Sequence, residues 1–370
     1  RQFRYSHGMA RTGRRTGMRV LHVIAGAKGG VAEGIMLDAV AALAEAGVTQ
    51  HVVTRGHSKA RLATLESARV SYDTANFDKD SREPTRNAIR EAADTFAPDV
   101  IHYWMGRAAS FAPKQYREIS VGWYGGSSKI ERFRNCAWHA AATECAVREI
   151  VDKGAPEDRV SVLHGYVKLP PAPAAKRGSL DTPEDAQAVL ALTRLDWESG
   201  VDVLLDAVKQ LTGVYAWIAG AGPLEAQLKQ QAKKLDIEKR VRFLGARSDD
   251  AGLLAACDAV VSPARHDAFG LAALEAWAAK RPLVTTDAYG PASMVTHDVD
   301  ALLVARDDAN ALASALRRVL DDGDLSNALA IAGARAYRAG FTKTAFVRVA
   351  MTLYDRVRRS HEQHRRAPAA

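Results

Sequence analysis

The feature that most constrains this chain is an alternation. From Met18 onward, short apolar runs take turns with longer amphipathic ones, and a proline-rich stretch interrupts them near the middle. Short buried-strand patterns separated by helical ones are the signature of β-α-β units, which assemble into mostly parallel sheets covered by helices. RVLHVIAG (19–26) reads as a strand, VAEGIMLDAVAALAEAG (31–47) as a helix ended by Gly47, and HVVT (51–54) as the next strand. Strand-like runs recur at DVIHYW (99–104), VGWY (121–124), AATE (141–144) and RVSVL (159–163). LPPAPAAKRGSLDTPEDA (169–186) carries four of the thirteen prolines and almost no large apolar residue, so an exposed linker is expected there. The alternation then restarts through AVLALT, VYAWIAG, VRFLG, AVVSP, PLVTT and ALLV, with helical patterns between them. Two α/β domains of similar size follow, at 18–168 and 187–343. A last stretch places Phe346, Val349, Ala350, Leu353, Tyr354 and Val357 on one helical stripe that must pack on something. Ligands of open parallel sheets sit beyond the carboxyl ends of the strands, so two such domains face each other across a cleft.

Composition removes several classes. Of 370 residues, 47% are hydrophobic and 25% charged, and no apolar stretch approaches the roughly 18 residues of a membrane-spanning helix. Integral membrane proteins of that kind, collagens and coiled coils are excluded. Cys136, Cys145 and Cys257 show no C-x-x-C spacing, which argues against a disulfide framework or structural zinc and for a reducing, cytoplasmic setting. The net charge of +8 is uneven, with 25 basic and 18 acidic residues before position 169. Five arginines lie in an aperiodic lead-in without an apolar signal-peptide core, so secretion is not expected. Arg356, Arg358, Arg359, Arg365 and Arg366 form a second basic cluster, read either as a solvated face or as a peripheral contact with anionic inner-membrane lipid. Aromatics are not interleaved with these cations, so nucleic acid is not an expected partner. GAKGGVAEG (26–34) is neither a dinucleotide fingerprint nor a P-loop, and no H-E-x-x-H, D-x-D or Cys/His cluster occurs, so neither cofactor nor metal is implied.

The most informative segment is SPARHDAFGLAALEA (262–276): a strand end, a loop with an acid, a Phe-Gly turn and a helix start. Free N–H groups of Gly270, Leu271 and Ala272, with the positive end of the helix, would make a phosphate site. Glu275 lies one turn into the helix, and Asp267 eight residues before it. Two carboxylates bordering a phosphate site imply a phosphate ester flanked by polyols.

This segment resembles the E-x7-E motif of the retaining glycosyltransferases of family 4, with Asp267 in place of the first Glu and Glu275 matching the second. LTRLDWESGVDVLLDA, AGAGPLE, VRFLG and TTDAYGPASMV are similar to further motifs of that family, and GGVAEG to its Gly-Gly loop. The resemblance spans roughly residues 18–360 and is weakest between 55 and 160. It implies the GT-B fold, two facing Rossmann-like domains, with the last helix returning to the first domain. It also implies transfer of a sugar from a nucleotide-diphosphate-sugar co-substrate to a glycan or lipid-linked acceptor. By resemblance Glu275 holds the donor ribose, Asp267 a hydroxyl of the transferred sugar, the Phe269, Gly270 and Leu271 region the diphosphate, and Arg194 the leaving charge. Gly29 and Gly30 close over the donor from the first domain. The segments W-M-G-R (104–107) and W-Y-G-G (123–126) look like those of bacterial envelope-polysaccharide enzymes, which suggests lipopolysaccharide core as acceptor.

The sequence departs from the family's pattern at three points. Ser199 stands where the family has a phosphate-binding lysine, leaving Lys28 and Lys129 as candidate replacements. Trp104 stands where relatives often have a histidine; it is expected either there or as acceptor-site packing, with His102, two residues earlier, facing the other side. Ala292 and Ser293 stand where a Glu is usual. Tyr124, Gly125 and Gly126 form either a tight turn alone or part of an acceptor pocket. A nucleotide-sugar epimerase of similar two-domain fold, or a non-catalytic nucleotide-sugar-binding protein, remains the alternative.

Overall fold

The computed structural model describes residues 17–26, 30–78, 80–125 and 129–366. The first domain is a seven-stranded sheet of β1 (Arg19–Ile24), β2 (Thr49–Thr54), β3 (Ser71–Thr74), β4 (Val100–Trp104), β5 (Ser120–Tyr124), β6 (Trp138–Ala141) and β7 (Val160–Val162). Its order is β3-β2-β1-β4-β5-β6-β7. The connections carry α1 (Val31–Glu45), α2 (Lys59–Ser67), α3 (Arg82–Phe96), the short α4 (Met105–Ala109) and α5 (Glu144–Asp152). The second sheet comprises β8 (Gln187–Leu192), β9 (Val214–Ala219), β10 (Val241–Gly245), β11 (Ala259–Ser262), β12 (Leu283–Thr286) and β13 (Leu302–Val304), in the order β10-β9-β8-β11-β12-β13. It is joined by α6 (Val201–Lys209), α7 (Glu225–Lys234), α8 (Asp250–Ala256), α9 (Leu271–Ala278) and α10 (Ala309–Asp321), and followed by α11 (Gly323–Gly340) and α12 (Lys343–Arg366). Every ladder between these strands is parallel. The two Rossmann-like domains expected from the alternation are present.

The central strands are buried on both faces, which is why they read as continuous apolar runs rather than as alternation: Val20, Leu21, Val23 and Ile24 of β1 are all buried. In each sheet the strand order reverses beside the first strand, between β1 and β4 and between β8 and β11. At such switch points adjacent connections leave to opposite faces and open a crevice at the strands' carboxyl ends.

The terminal helix α12 returns to the first domain. Phe346, Ala350, Leu353, Tyr354 and Val357 belong to that domain's core, and Val349 packs against it. Tyr354 Oη lies 2.7 Å from His102 Nδ1 on β4, and Lys343 pairs with Glu45 at 2.5 Å.

One expectation about elements is corrected, two elements are added, and the expected exposed stretch proves to be tethered. AATE (141–144) is not a strand: β6 ends at Ala141, and Thr143 caps α5 by accepting the N–H of Ala146. The half-exposed β3 and the helix α11 were not expected as elements at all. The proline-rich stretch is exposed but not slack. Arg177 pairs with Asp258 at 3.0 Å, the Ala175 N–H donates to Gly252 O, and Thr182 accepts the indole N–H of Trp217 at 3.0 Å, so the strap is held against the second domain.

Candidate active site

Both switch points are built from segments singled out in the sequence. At the carboxyl end of β11, Gly270 adopts φ +65°, a left-handed conformation that suits glycine, and starts α9. Asp267 Oδ1 accepts the N–H groups of Phe269 at 2.9 Å and Gly270 at 2.8 Å. This corrects the expectation for the helix start: the Gly270 N–H is already satisfied by the neighbouring acid, and the donors left for an anion at this end are those of Leu271 and Ala272. The Asp267 carbonyl accepts the Gly290 N–H at 2.6 Å, which fixes the loop after β12 against the same turn.

Glu275 is partly buried on α9. Burial, with further repulsion from Asp250 and Asp267, pushes its pKa up to about 8. At neutral pH the side chain is therefore largely protonated and can donate as well as accept a hydrogen bond.

Arg194, beyond the carboxyl end of β8, has a side chain 71% exposed, and its one ion pair among the described residues is with Asp196 at 3.3 Å. Ser199 is not available to a ligand. It is 6% exposed, its N–H donates to Asp196 Oδ1 at 3.1 Å and its Oγ accepts the Asp196 N–H at 3.4 Å, the reciprocal pair that makes the capping box of a 3-10 turn, and its hydroxyl also donates to Asp196 O at 2.7 Å. Its expected donor contact is replaced by a structural one that shapes the Arg194 turn.

On the first domain, Gly30 precedes α1 beyond the carboxyl end of β1 and accepts the N–H groups of Glu33 and Gly34. Lys28, Gly29 and Gly126 lie outside the described residues. Lys129 is exposed and sits in a basic cleft of the first domain with Arg107 and Arg132.

The expected acceptor-site side chains are placed differently. Trp104 is 1% exposed and donates to His22 Nδ1 at 3.1 Å; His102 is fully buried against Tyr354; Tyr124 is fully buried, its hydroxyl 3.1 Å from His139 Nδ1. These three side chains fill the core and present no surface to an acceptor. His102 also lies on the same side as Trp104, the rings stacked at 4.3 Å, because residues two apart on a strand share a face.

Gly125 and Phe269 meet across the domains. The Phe269 ring stacks on Trp123 at 5.8 Å and 13°, and a Cβ on Gly125 would lie 2.5 Å from Phe269 Cε1 and 2.9 Å from Met105 Sδ. Phe269 thus contributes its ring to the first domain and its N–H to Asp267. Tyr289 adds a second bridge, donating to Glu149 Oε2 at 2.6 Å.

Two supporting clusters were not anticipated. The buried Arg61 pairs with Glu33 at 2.6 Å and also donates to Thr54 Oγ1, Arg55 O and Gly26 O, joining the ends of β1 and β2 to the first turn of α1. Arg265 pairs with Asp202 at 2.7 Å and Asp307 at 2.5 Å, fixing the loop after β11 to α6. Each residue alone reads as a solvated helix or loop charge, so no local pattern marks them.

Comparison with known proteins meets this geometry. Residues 174–336 match the family model of glycosyl transferases group 1. Over 342 residues the chain is 31% identical to the lipopolysaccharide core biosynthesis glycosyltransferase LpsD of Rhizobium meliloti (strain 1021), covering 92% of this chain and 98% of that protein. Among solved structures, a glycosyltransferase from Rickettsia africae ESF-5 superposes with a TM-score of 0.82 at 16% identity, covering 93% of this chain and 99% of that one. HepE of Anabaena, solved with UDP and glucose, superposes with a TM-score of 0.77 at 21% identity, covering 91% and 100%. The fold is therefore the GT-B arrangement that the resemblance implied. With a relative of this similarity along nearly its whole length, the chain belongs to the group 1 glycosyl transferases.

Proposed function

We propose that this glycosyltransferase takes its sugar from a nucleoside-diphosphate donor, retains the anomeric configuration, and passes the sugar to a glycan of the lipopolysaccharide core type. The observation that carries the reading is the placement of Arg194 and of the start of α9, with Glu275 one turn in, beyond the carboxyl ends of the paired strands β8 and β11. A cation and a helix N-terminus favour a diphosphate, and a carboxyl that can donate or accept favours neighbouring hydroxyls. LpsD, named for lipopolysaccharide core biosynthesis, supports the acceptor class, and HepE, solved with UDP and glucose, supports the donor class.

In this reading the donor diphosphate lies over the first turn of α9, with Leu271 and Ala272 N–H groups as donors and Arg194 facing the leaving oxygen. Negative charge grows on that oxygen as the glycosidic bond breaks, and a cation already in place stabilises the transition state more than the ground state. Glu275 holds the ribose hydroxyls. Asp267, with one oxygen committed to the turn, has its other oxygen for a hydroxyl of the transferred sugar. The leaving diphosphate takes the acceptor proton on the face of the departing bond. Among the described residues no helix is long and apolar enough to cross a membrane. The distal end of α12, with Arg359, Arg365 and Arg366 exposed, is the surface for peripheral contact with anionic lipid.

The test is turnover with a panel of nucleotide-sugars and a core oligosaccharide, the anomer of the product being read by NMR. Retention is expected, and Arg194→Ala should lower kcat by about 10²–10³ while changing donor affinity less. An inverted product would remove the retaining assignment, and an unchanged kcat in Arg194→Ala would remove the leaving-group role.

A further inference from the structure

The first domain holds a cleft of about 490 Å³ that the donor site does not use. It opens among the loops that follow β3, β4 and β5, at the carboxyl edge of the sheet, and Arg82, Arg107, Lys129, Arg132 and Arg134 line it. Two acids share the lining, Asp78 and Glu131, and Asp78 is already paired with Arg55 at 2.5 Å. Among the described residues none of the five cations is in an ion pair, although ion pairs are frequent elsewhere in the molecule. Five like charges around one concavity repel one another, and the low-dielectric walls Phe77 and Phe111 focus their field into it. A bound anion relieves that repulsion.

The cleft is held by specific contacts. Arg82 donates to Ser110 O at 3.1 Å with its guanidinium 5.8 Å from the Phe111 ring, Asn135 donates to Ala112 O at 2.7 Å, and the Arg132 stem covers Gly106. Its volume is that of a small-ligand site. Its loops are also those that receive the second domain: Met105 precedes Arg107 by two residues and meets Phe269 at Gly125, four residues before Lys129. An anion here is therefore beside the interdomain cleft, on the side opposite the donor.

We propose that this cleft receives a phosphate or carboxylate group of the acceptor glycan, and that the enzyme thereby selects acceptors that carry an anion. The proposal rests on the transferase reading above. It makes Lys129 an acceptor-side cation and not a substitute for the lysine missing at Ser199.

The 370-residue chain is titrated with glucose 6-phosphate, glucuronate and glucose, alone and in the presence of the donor that supports turnover. The same titrations are made with the double variant Arg107→Gln, Arg132→Gln. Both positions are exposed, so the variant should keep its thermal midpoint and its donor affinity. At least one anionic sugar should bind ten-fold or more tightly than glucose, weaken as salt is raised, and lose that advantage in the variant. The preferred anion identifies the acceptor group. Equal binding of glucose, or an unaltered preference in the variant, would overturn the proposal. So would binding of phosphatidylglycerol vesicles through these arginines with no preference for either anionic sugar. A wild-type protein that neither binds nor turns over any nucleotide-sugar would instead sink the transferase reading, and the sugar titration would still decide the cleft.

Discussion

At the scale of single residues, Glu275 makes the sharpest prediction. Its ordinary pKa lies near 4.5 and burial raises it to about 8 in the ligand-free fold. Between those values the folded protein holds a proton that the unfolded chain has released, so this residue's contribution to stability declines as pH rises through 8. If the carboxylate accepts hydrogen bonds from ribose hydroxyls, donor binding draws its pKa down and expels the proton. Calorimetry at pH 7 in buffers of different ionisation enthalpy should show close to one proton released, and Glu275→Gln should abolish the release. No release in the wild type would mean that the protonated acid does the binding. At this scale the sequence was legible where spacing alone decides, as for Asp267 and Glu275 flanking a helix start. It was not legible where one polar group satisfies another. Asp267 consuming the Gly270 N–H, Ser199 closing a cap with Asp196, and Arg61 meeting Glu33 all depend on neighbours that a linear pattern does not bring together.

Between elements, the contact that matters is the loop after β5 against the loop after β11. Gly125 leaves room for the Phe269 ring to stack on Trp123, and a methyl at 125 must displace that ring or Met105. Gly125→Ala should lower kcat/KM by about ten-fold through the domain approach while leaving the thermal midpoint within a few degrees, since the atoms that give way are side-chain ends. Steady-state kinetics beside differential scanning calorimetry checks it, and a variant with unaltered kcat/KM would show that this approach has no part in turnover. Elements announced by long apolar runs, such as β1, β4, β8 and β11, were readable because both of their faces are buried. Ser71–Thr74 of β3 has an exposed, polar edge-strand sequence, and α11 is rich in alanine with little contrast between its faces. Neither period is visible in such runs. Ala142 and Thr143 read as a continuation of β6, but the strand ends at Ala141 and the Thr143 side chain commits the next residues to a helix cap.

Across the whole molecule the two domains carry opposite acid responses. His22 and His139 are held at about 4 by burial, and His102 and His164 are also lowered by burial, all four on the first domain. Below the ordinary histidine value near 6.5 the unfolded chain takes up protons that the buried rings refuse, so first-domain stability falls as pH drops from 6.5 towards 4. On the second domain, Glu275, Asp250 and Asp300 are raised by burial and gain stability over the same descent. Thermal unfolding at pH 7.5 and pH 5 should therefore diverge by domain, with tryptophan signals from Trp104 and Trp123 shifting to lower temperature at pH 5 than those from Trp217 and Trp277. Coincident transitions at both pH values would contradict this partition.

The return of α12 to the first sheet also orders events during synthesis. The ribosome delivers β1 to β7 first, but the layer that covers them, with Tyr354 for His102 and Phe346 for Tyr166, emerges only after the whole second domain. The earliest part of the chain must wait, its apolar face uncovered, while the later part completes its own core. Slow translation or a premature stop beyond residue 340 would leave a finished second domain attached to an unfinished first one, a species suited to chaperone capture or aggregation.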